Sequence, residues 1–275
     1  MKAISENERK FLSILFQEYE WNYFADAILD GNMGDAYADD EKSPNIAVLD
    51  IPKLPLCIIG GNATHKSARK YLNDLTAPKM MIFASEGWEE LLQELYRGRL
   101  AKMNRYAFTS ENLDMAHLSN LKSKLPDGYR LTKLTIELAE ELANEKSDFS
   151  SDHMMNFNSP QDFIERGFGY CVCDDDKIAS VATTFAICDK GIEIQISTRK
   201  NYQGRGLGTA VAAQLLIYCL DNNLDPNWDA ANKKSVGLAK NLGYTPQGNY
   251  SIHILARSRF RAVLGKLFLR IQERM

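Results

Sequence analysis

Three strand-like segments in close succession limit the folds open to this chain more than any other feature. They span 169–174, 178–188 and 192–197, and the third alternates strictly between apolar and polar residues. Short turn sequences at 174–177 and 189–191 separate them. Neighbouring parallel strands would need a crossover of roughly a dozen residues or more, so these turns predict an antiparallel meander in the second half of the chain.

The composition is that of a globular protein and excludes several other classes. Of the 275 residues, 45% are hydrophobic and 25% are charged, which excludes a largely disordered chain. No apolar run reaches the roughly 18 residues of a membrane span. The charged first ten residues lack the apolar core of a signal sequence. Without a signal core or a membrane span, we expect a cytoplasmic protein with no membrane partner. The net charge of −3 argues against a nucleic-acid partner.

The length favours two domains, and a Leu-Pro-Asp-Gly break at 125–128 separates them. We place the boundary within 112–128. Residues 1–120 are assigned to an N-terminal α/β domain, and 121–275 to a second domain that ends in a basic amphipathic helix at 257–271. That helix could lie on an anionic surface, but we expect its apolar face to dock on the protein itself. In the first domain we expect helices at 8–27, 66–75 and 87–100 and strands at 45–51, 54–59 and 79–84.

Five cysteines form an odd set without the spacing of a disulfide framework. Cys171 and Cys173 would lie on one face of a strand, but no second pair of metal ligands accompanies them. We expect reduced structural thiols and no metal site.

A glycine-rich turn stands directly after the meander. Gly204, Gly206 and Gly208 alternate over five positions and lead into a helix predicted from Thr209 to about Leu220. Backbone N–H groups at the start of a helix form an anion site suited to a pyrophosphate. The lysine of a P-loop is absent, and the glycine spacing differs from the Rossmann pattern. Taken alone, the turn could equally be a flexible strand-to-helix connection.

Two motifs in order give this stretch a more specific interpretation. Gln203-x-x-Gly206-x-Gly208 resembles the acyl-CoA signature of the GNAT superfamily of N-acyltransferases, and Tyr202 precedes it as it often does there. A second element, from Asn232 to the Gly-Tyr turn at Tyr244, is similar to the strand, helix and turn beside the pantetheine arm. The resemblance covers about 125–255 and is strongest to the branch that includes zwittermicin-resistance acetyltransferases, without transferring their substrate.

The resemblance implies an α/β (α+β) fold: a mixed, largely antiparallel sheet flanked by helices. The first half, with Gly60 and Gly61 between a strand and a helix, is similar to a partial GNAT unit. Because it lacks the Gln-x-x-Gly-x-Gly motif, we expect it to bind no CoA and to support the acceptor side.

The resemblance also assigns the coenzyme contacts. Backbone N–H groups from Gly204 to Thr209 would bind the CoA pyrophosphate, main-chain groups of two strand residues would pair with pantetheine, and two residues of the second element would contact it. Lys200 and Arg205 could reach the adenosine phosphates or be surface cations, and Asn232 could equally cap its helix. The predicted set is Ile196, Thr198, Gln203, Gly204, Arg205, Gly206, Leu207, Gly208, Thr209, Asn232 and Ser235.

Acyl transfer to an amine requires a base, since an ammonium group has no lone pair. Glu193 is our candidate, on the strand that enters the glycine-rich turn; the alternative is a solvent-exposed carboxylate. The family's usual tyrosine, the proton donor to the leaving thiolate, is replaced by Ala239. We name Tyr244 as the acid, with Tyr250, water or no acid as alternatives. His153 could contact the acceptor or be structural.

These features predict an acetyl-CoA-dependent N-acetyltransferase acting on a primary amine of a small molecule, with homodimer formation left open. The alternative function is a non-catalytic acyl-CoA-binding sensor or scaffold, for which Ala239 is the main support.

Overall fold

The computed structural model describes residues 1–145, 147, 149, 153–263 and 265. They form two compact units. The first contains 1–106, 231–234 and the described residues from 248 onward, and the second contains 107–230 and 235–247. Of the basic helix predicted at 257–271, residues 264 and 266–271 lie outside the described set. Across the described ranges, no helix combines the length and the apolar character that crossing a bilayer requires.

Twelve strands and eight α-helices are used below. The strands are β1 (Lys2–Ile4), β2 (Asp35–Ala38), β3 (Ile46–Ile51), β4 (Leu56–Gly61), β5 (Lys79–Phe83), β6 (Leu100–Thr109), β7 (Tyr129–Lys133), β8 (Gly169–Asp174), β9 (Lys177–Ile187), β10 (Gly191–Thr198), β11 (Asp225–Ala230) and β12 (Thr245–Leu255). The helices are α1 (Phe24–Leu29), α2 (Lys66–Asn73), α3 (Trp88–Tyr96), α4 (Met115–Ser123), α5 (Ile136–Asn144), α6 (Pro160–Arg166), α7 (Leu207–Asp221) and α8 (Lys233–Leu242).

The second unit contains the predicted meander. Strands β7, β8, β9 and β10 pair antiparallel in chain order, and β11 joins the edge of β10 in parallel. Helix α7 packs its apolar residues on one face of this sheet. Helices α5 and α6 cover the opposite face, against the alternate residues of β8 and β9. The predicted fold class, a mixed and largely antiparallel sheet flanked by helices, is confirmed.

The first unit follows a similar order of elements. Strands β1 to β4 pair antiparallel, and β5 then pairs in parallel with β4 after the intervening helix α2. Strand β12 adds to the other edge of β5 in antiparallel orientation. An antiparallel run, a helix and a parallel strand is also the order of β9, β10, α7 and β11, as expected for a partial copy of the same plan.

The predicted helix at 8–27 is wrong as a single element. A 3-10 helix spans Glu6–Phe16, and α1 begins only at Phe24. Between them, the buried Asn22 side chain accepts hydrogen bonds from the Tyr19 hydroxyl at 2.8 Å and from the Phe24 N–H at 3.1 Å. An asparagine that bonds locally in this way competes with helical hydrogen bonds and interrupts the helix.

All five cysteines are free and buried. Cys171 and Cys173 share one face of β8 with their sulfur atoms 3.7 Å apart, as the strand prediction requires.

Candidate active site

Strands β10 and β11 separate shortly after they meet. They pair only from Gly191–Asp225 to Glu193–Asn227, and no further pair joins them in the described part of the second unit. On its other edge β10 stays paired with β9 as far as Thr198. The stretch of β10 after Glu193 therefore has one open edge, facing the gap between the two parallel strands.

A β-bulge lies where this separation begins. Glu193 is opposite Ala186 and Ile194 is opposite Thr184, so Phe185 is the extra residue of β9. Its carbonyl accepts a hydrogen bond from Asn156 Nδ2 at 3.0 Å. Bulges bend a strand and increase its local twist, which accounts for the divergence at this point.

The hydrogen-bond phase of β10 fixes which backbone groups face the gap. The Arg199 N–H donates to the Ala179 carbonyl at 3.0 Å, so this pair is of the hydrogen-bonded kind. Because such pairs alternate along an antiparallel ladder, the main-chain groups of Ile196 and Thr198 point away from β9. The Thr198 carbonyl accepts a bond from Gln203 Nε2 at 3.1 Å, in keeping with this phase. Ile196 and Thr198 are thus oriented as the pantetheine prediction requires; contact with CoA stays a prediction.

The glycine-rich turn ends in the N-terminus of α7. Gly204 and Gly206 have φ of 79° and 82°, in the left-handed region that favours glycine. The helix starts at Leu207, two residues earlier than predicted, and its first bond runs from the Ala210 N–H to the Gly206 carbonyl at 3.0 Å. The N–H groups of Leu207, Gly208 and Thr209 therefore have no acceptor within the helix.

The space in front of this turn is open. A Cβ atom built on Gly204 or Gly206 meets no atom within 4 Å. One built on Gly208 would lie 3.0 Å from Thr198 Oγ1, which in turn lies 2.7 Å from Ser180 Oγ. Gly208 thus lets the helix start close to the end of β10. The N–H groups that lack an acceptor within the helix and the helix dipole both favour an anion there.

Arg205 packs against its own unit. Its guanidinium donates to the Tyr129 hydroxyl at 2.8 Å and the Asn201 carbonyl at 2.9 Å, and lies 5.2 Å from the centre of the Tyr202 ring. The Tyr202 hydroxyl donates to Asp174 at 2.8 Å, a bond that raises the Tyr202 pKa. Lys200 is exposed. The side chain of Arg205 thus braces the turn, and its N–H remains among the predicted phosphate contacts.

Glu193 lies at the apex of the gap. Its side chain is only 4% exposed, so the alternative of a solvent-exposed carboxylate is wrong. Ile192 packs towards α7, and the alternation of a strand places Glu193 and Gln195 on the opposite face. Asn227 donates to Glu193 through Nδ2 at 2.8 Å. Asn227 was not among the predicted site residues. A parallel pairing of its strand with that of Glu193 would have placed the two residues side by side.

His153 lies on the same face as Glu193. It is buried, with Nδ1 2.8 Å from Thr183 Oγ1, and Thr183 is the cross-strand partner of Gln195. Burial lowers the pKa of His153 to about 3, so the imidazole is neutral. Its position next to the strand residues of the Glu193 face was not evident from the sequence.

The second motif surrounds β11 and α8. Asn232 directly precedes α8, the position of a helix cap. Ser235 accepts a bond from Trp228 Nε1 at 3.2 Å, and Ala239 is fully buried. Contacts of Asn232 and Ser235 with CoA stay predictions.

The two candidate acids have their hydroxyls bonded inside the protein. Tyr244 is buried against Trp228 and donates to the Pro226 carbonyl at 2.6 Å. Tyr250 belongs to the first unit, where it stacks on Trp21 and accepts a bond from Asn22 Nδ2 at 2.8 Å. For Tyr244 this geometry favours a packing role, and its assignment as the acid stays a prediction.

Comparisons with known proteins agree with this geometry. A family model described as GNAT acetyltransferase matches residues 13–253. An uncharacterized N-acetyltransferase of Bacillus subtilis (strain 168), YdfB, is 25% identical over 263 residues, which cover 92% of this chain and 98% of the relative. No group of three or more His, Cys, Asp or Glu side chains that could hold a metal ion occurs among the described residues.

Solved structures show the same fold over almost the whole chain. A GCN5-related N-acetyltransferase-like protein from Streptococcus suis 89/1591 superposes with a TM-score of 0.76 at 28% identity, covering 90% of this chain and 98% of that one. A tandem GNAT protein from the clavulanic acid biosynthesis pathway has a TM-score of 0.59 at 11% identity, covering 94% and 98%. At that identity the second likeness concerns the fold alone.

Proposed function

Because this chain belongs to the GNAT acetyltransferase family, we propose that it transfers an acetyl group from acetyl-CoA to a primary amine of a small molecule. One observation carries the proposal: the open edge of β10 ends at Thr198 beside the start of α7, where the N–H groups of Leu207, Gly208 and Thr209 have no acceptor within the helix. Coenzyme A matches both features, because its pantetheine arm is an extended chain with amide groups and is joined to a diphosphate.

The residues on both sides of the gap fit that cosubstrate. Main-chain groups of Ile196 and Thr198 would pair with pantetheine amides as an added half-strand does. The diphosphate would be bound at the start of α7, where the left-handed Gly204 and Gly206 leave open space in front of the backbone. Acetyl-CoA supplies an activated thioester, and the protein supplies orientation and proton transfer.

Glu193 would accept the proton of the incoming ammonium group. The free amine then attacks the thioester carbonyl carbon and forms the C–N bond, and the C–S bond breaks to release the CoA thiolate. The attacking nitrogen loses its second proton, which passes through water to the thiolate, so that the products are the N-acetyl amide and free CoA. The N–H of Ile196 faces the gap and would polarise the carbonyl oxygen. All five cysteine thiols are buried, which favours direct attack over an acyl-cysteine intermediate.

A non-catalytic acyl-CoA sensor is the second candidate, and the buried Ala239 favours it. The residue that takes the place of the family's usual tyrosine carries no proton to give to a leaving thiolate.

Calorimetry with acetyl-CoA, followed by thiol release across a panel of polyamines, amino sugars and amino acid derivatives, tests the proposal. We expect binding, and turnover above thioester hydrolysis with at least one primary amine. Binding without turnover on any amine would favour the sensor. Failure to bind CoA at all would remove both functions.

A further inference from the structure

Arg199 joins the base of the glycine-rich turn to a distant part of the second unit. It follows Thr198, the last residue of β10, and its main-chain N–H is fixed to the Ala179 carbonyl. Its side chain reaches away from the turn, donating through Nε to the Ile178 carbonyl at 2.5 Å. Both terminal nitrogens donate to the two carboxylate oxygens of Glu145, a residue 54 positions earlier in the chain.

The far end of this ion pair leads to the face of Glu193. The guanidinium carbon of Arg199 lies 4.2 Å from the centre of the Phe149 ring, and that ring is 6.3 Å from the ring of His153. His153 lies against Thr183, opposite Gln195 on the strand that carries Glu193. A series of neighbouring side chains therefore runs from Arg199, at the start of the glycine-rich turn, to the face of the sheet that carries the proposed base.

The chemistry of the pair indicates positioning rather than stability alone. The Arg199 and Glu145 side chains are 19% and 25% exposed, and the hydrogen bonds from Arg199 lower the pKa of Glu145. Withdrawing two charges from water costs about as much as their attraction returns, so apolar residues would stabilise the fold equally well. A planar guanidinium that donates two hydrogen bonds to one carboxylate fixes the relative orientation of the two side chains, which apolar packing does not do.

We propose that Arg199 is a positioning residue that couples the coenzyme turn to Phe149 and to His153 on the Glu193 face. When CoA occupies the turn, the Arg199–Glu145 pair holds these two side chains against the acceptor side of the sheet. Binding of the coenzyme and binding of the amine are thereby linked. This inference rests on the proposed function, since it takes the turn as the CoA site and the Glu193 face as the amine site.

An ion pair of the first unit provides the control. Arg69 of α2 donates through Nη2 to Glu94 of α3 at 2.7 Å. Glu94→Gln thus removes a carboxylate from an arginine pair without touching the link to the turn or residues 153–158.

Hydrogen exchange of residues 153–158, with and without saturating CoA, tests the coupling. In the wild type we expect CoA to slow exchange at least about fivefold, the lower end of typical coupling between sites. Glu145→Gln and Arg199→Gln should bind CoA without this slowing, Arg199→Lys should restore part of it, and Glu94→Gln should keep it in full. With an amine found by the panel, Glu145→Gln should raise the KM for the amine more than that for acetyl-CoA.

Two results would overturn the coupling while leaving the proposed function intact. One is a wild type that binds CoA without protection of 153–158, and the other is unchanged protection in Glu145→Gln. If the wild type binds no CoA, the proposed function itself fails, and the coupling fails with it.

Discussion

Asn227 donates a hydrogen bond to Glu193 across 2.8 Å, and the two residues form the last pair before β10 and β11 separate. The amide holds the carboxylate at the apex of the gap. Because Asn227 donates to one carboxylate oxygen of Glu193, it fixes the orientation of the side chain that we propose as the base.

Glu193→Gln should lower kcat/KM for the amine by about 10²–10⁴-fold, the usual contribution of a positioned base. The glutamine oxygen can still accept the Asn227 bond, so the variant removes the charge while keeping the shape. Steady-state kinetics and CoA calorimetry measure the two effects separately, and CoA binding should be retained. Asp176→Asn, in the exposed turn before β9, is the control for the change in charge. Full activity in Glu193→Gln would exclude Glu193 as the base.

Gly206→Ala should destabilise the protein by about 1–2 kcal/mol, because its φ of 82° is left-handed and costly for a residue with a Cβ. The same change at Gly237, exposed inside α8, should instead stabilise by about 0.5–1 kcal/mol. A Cβ meets nothing within 4 Å at either site, so the pair isolates the backbone effect.

Urea unfolding measures the stability of both glycine variants, and calorimetry with CoA measures binding. Only Gly206→Ala should weaken CoA binding. Equal stability in the two variants would contradict the assigned backbone conformation.

Tyr244→Phe distinguishes packing from catalysis. Loss of the hydroxyl leaves the Pro226 carbonyl without this donor, which should cost about 1–3 kcal/mol of stability. We expect a lower Tm in differential scanning calorimetry and a kcat within a few-fold of the wild type. A kcat reduced a hundredfold with an unchanged Tm would instead identify Tyr244 as the acid.

His153 should make the protein less stable in mild acid. Burial lowers its folded pKa to about 3, whereas an unfolded histidine takes up a proton below about pH 6.5. The unfolded state then binds more protons, so stability falls as the pH falls from 6.5 towards 3, by roughly 1.4 kcal/mol per unit.

Urea titrations of His153→Gln at pH 7 and pH 5 should show a smaller acid loss than the wild type, by roughly 2 kcal/mol. An identical acid loss in His153→Gln would show that His153 is protonated in the folded protein.

The sequence was sufficient for features that depend on near neighbours. The meander and the turn at Gly204 and Gly206 follow from alternation, turn residues and the demands of left-handed backbone. The predicted start of α7 was two residues too late, because the spacing of apolar residues does not mark where a helix begins.

Other features depend on residues far apart in the chain and were not predicted. The bond between Asn227 and Glu193 spans 34 positions and exists only because β10 and β11 pair in one register. The contact of Arg199 with Glu145 needs the whole of β8 and β9 between them. Asn22 interrupts the predicted helix through hydrogen bonds of its side chain. The periodicity of hydrophobic residues contains no information about such bonds.

Phe185, the extra residue of the β9 bulge, restricts how this hairpin can change length over evolutionary time. Losing that single residue would let Ala186 follow Thr184 directly, so that every cross-strand pair kept its register and the ladder became regular. The bend at Glu193 would then be lost, and with it the reason for β10 to part from β11 at that point. Lineages descended from this chain can therefore gain or lose residues at the tip, around 189–190, but not within the strand that precedes it.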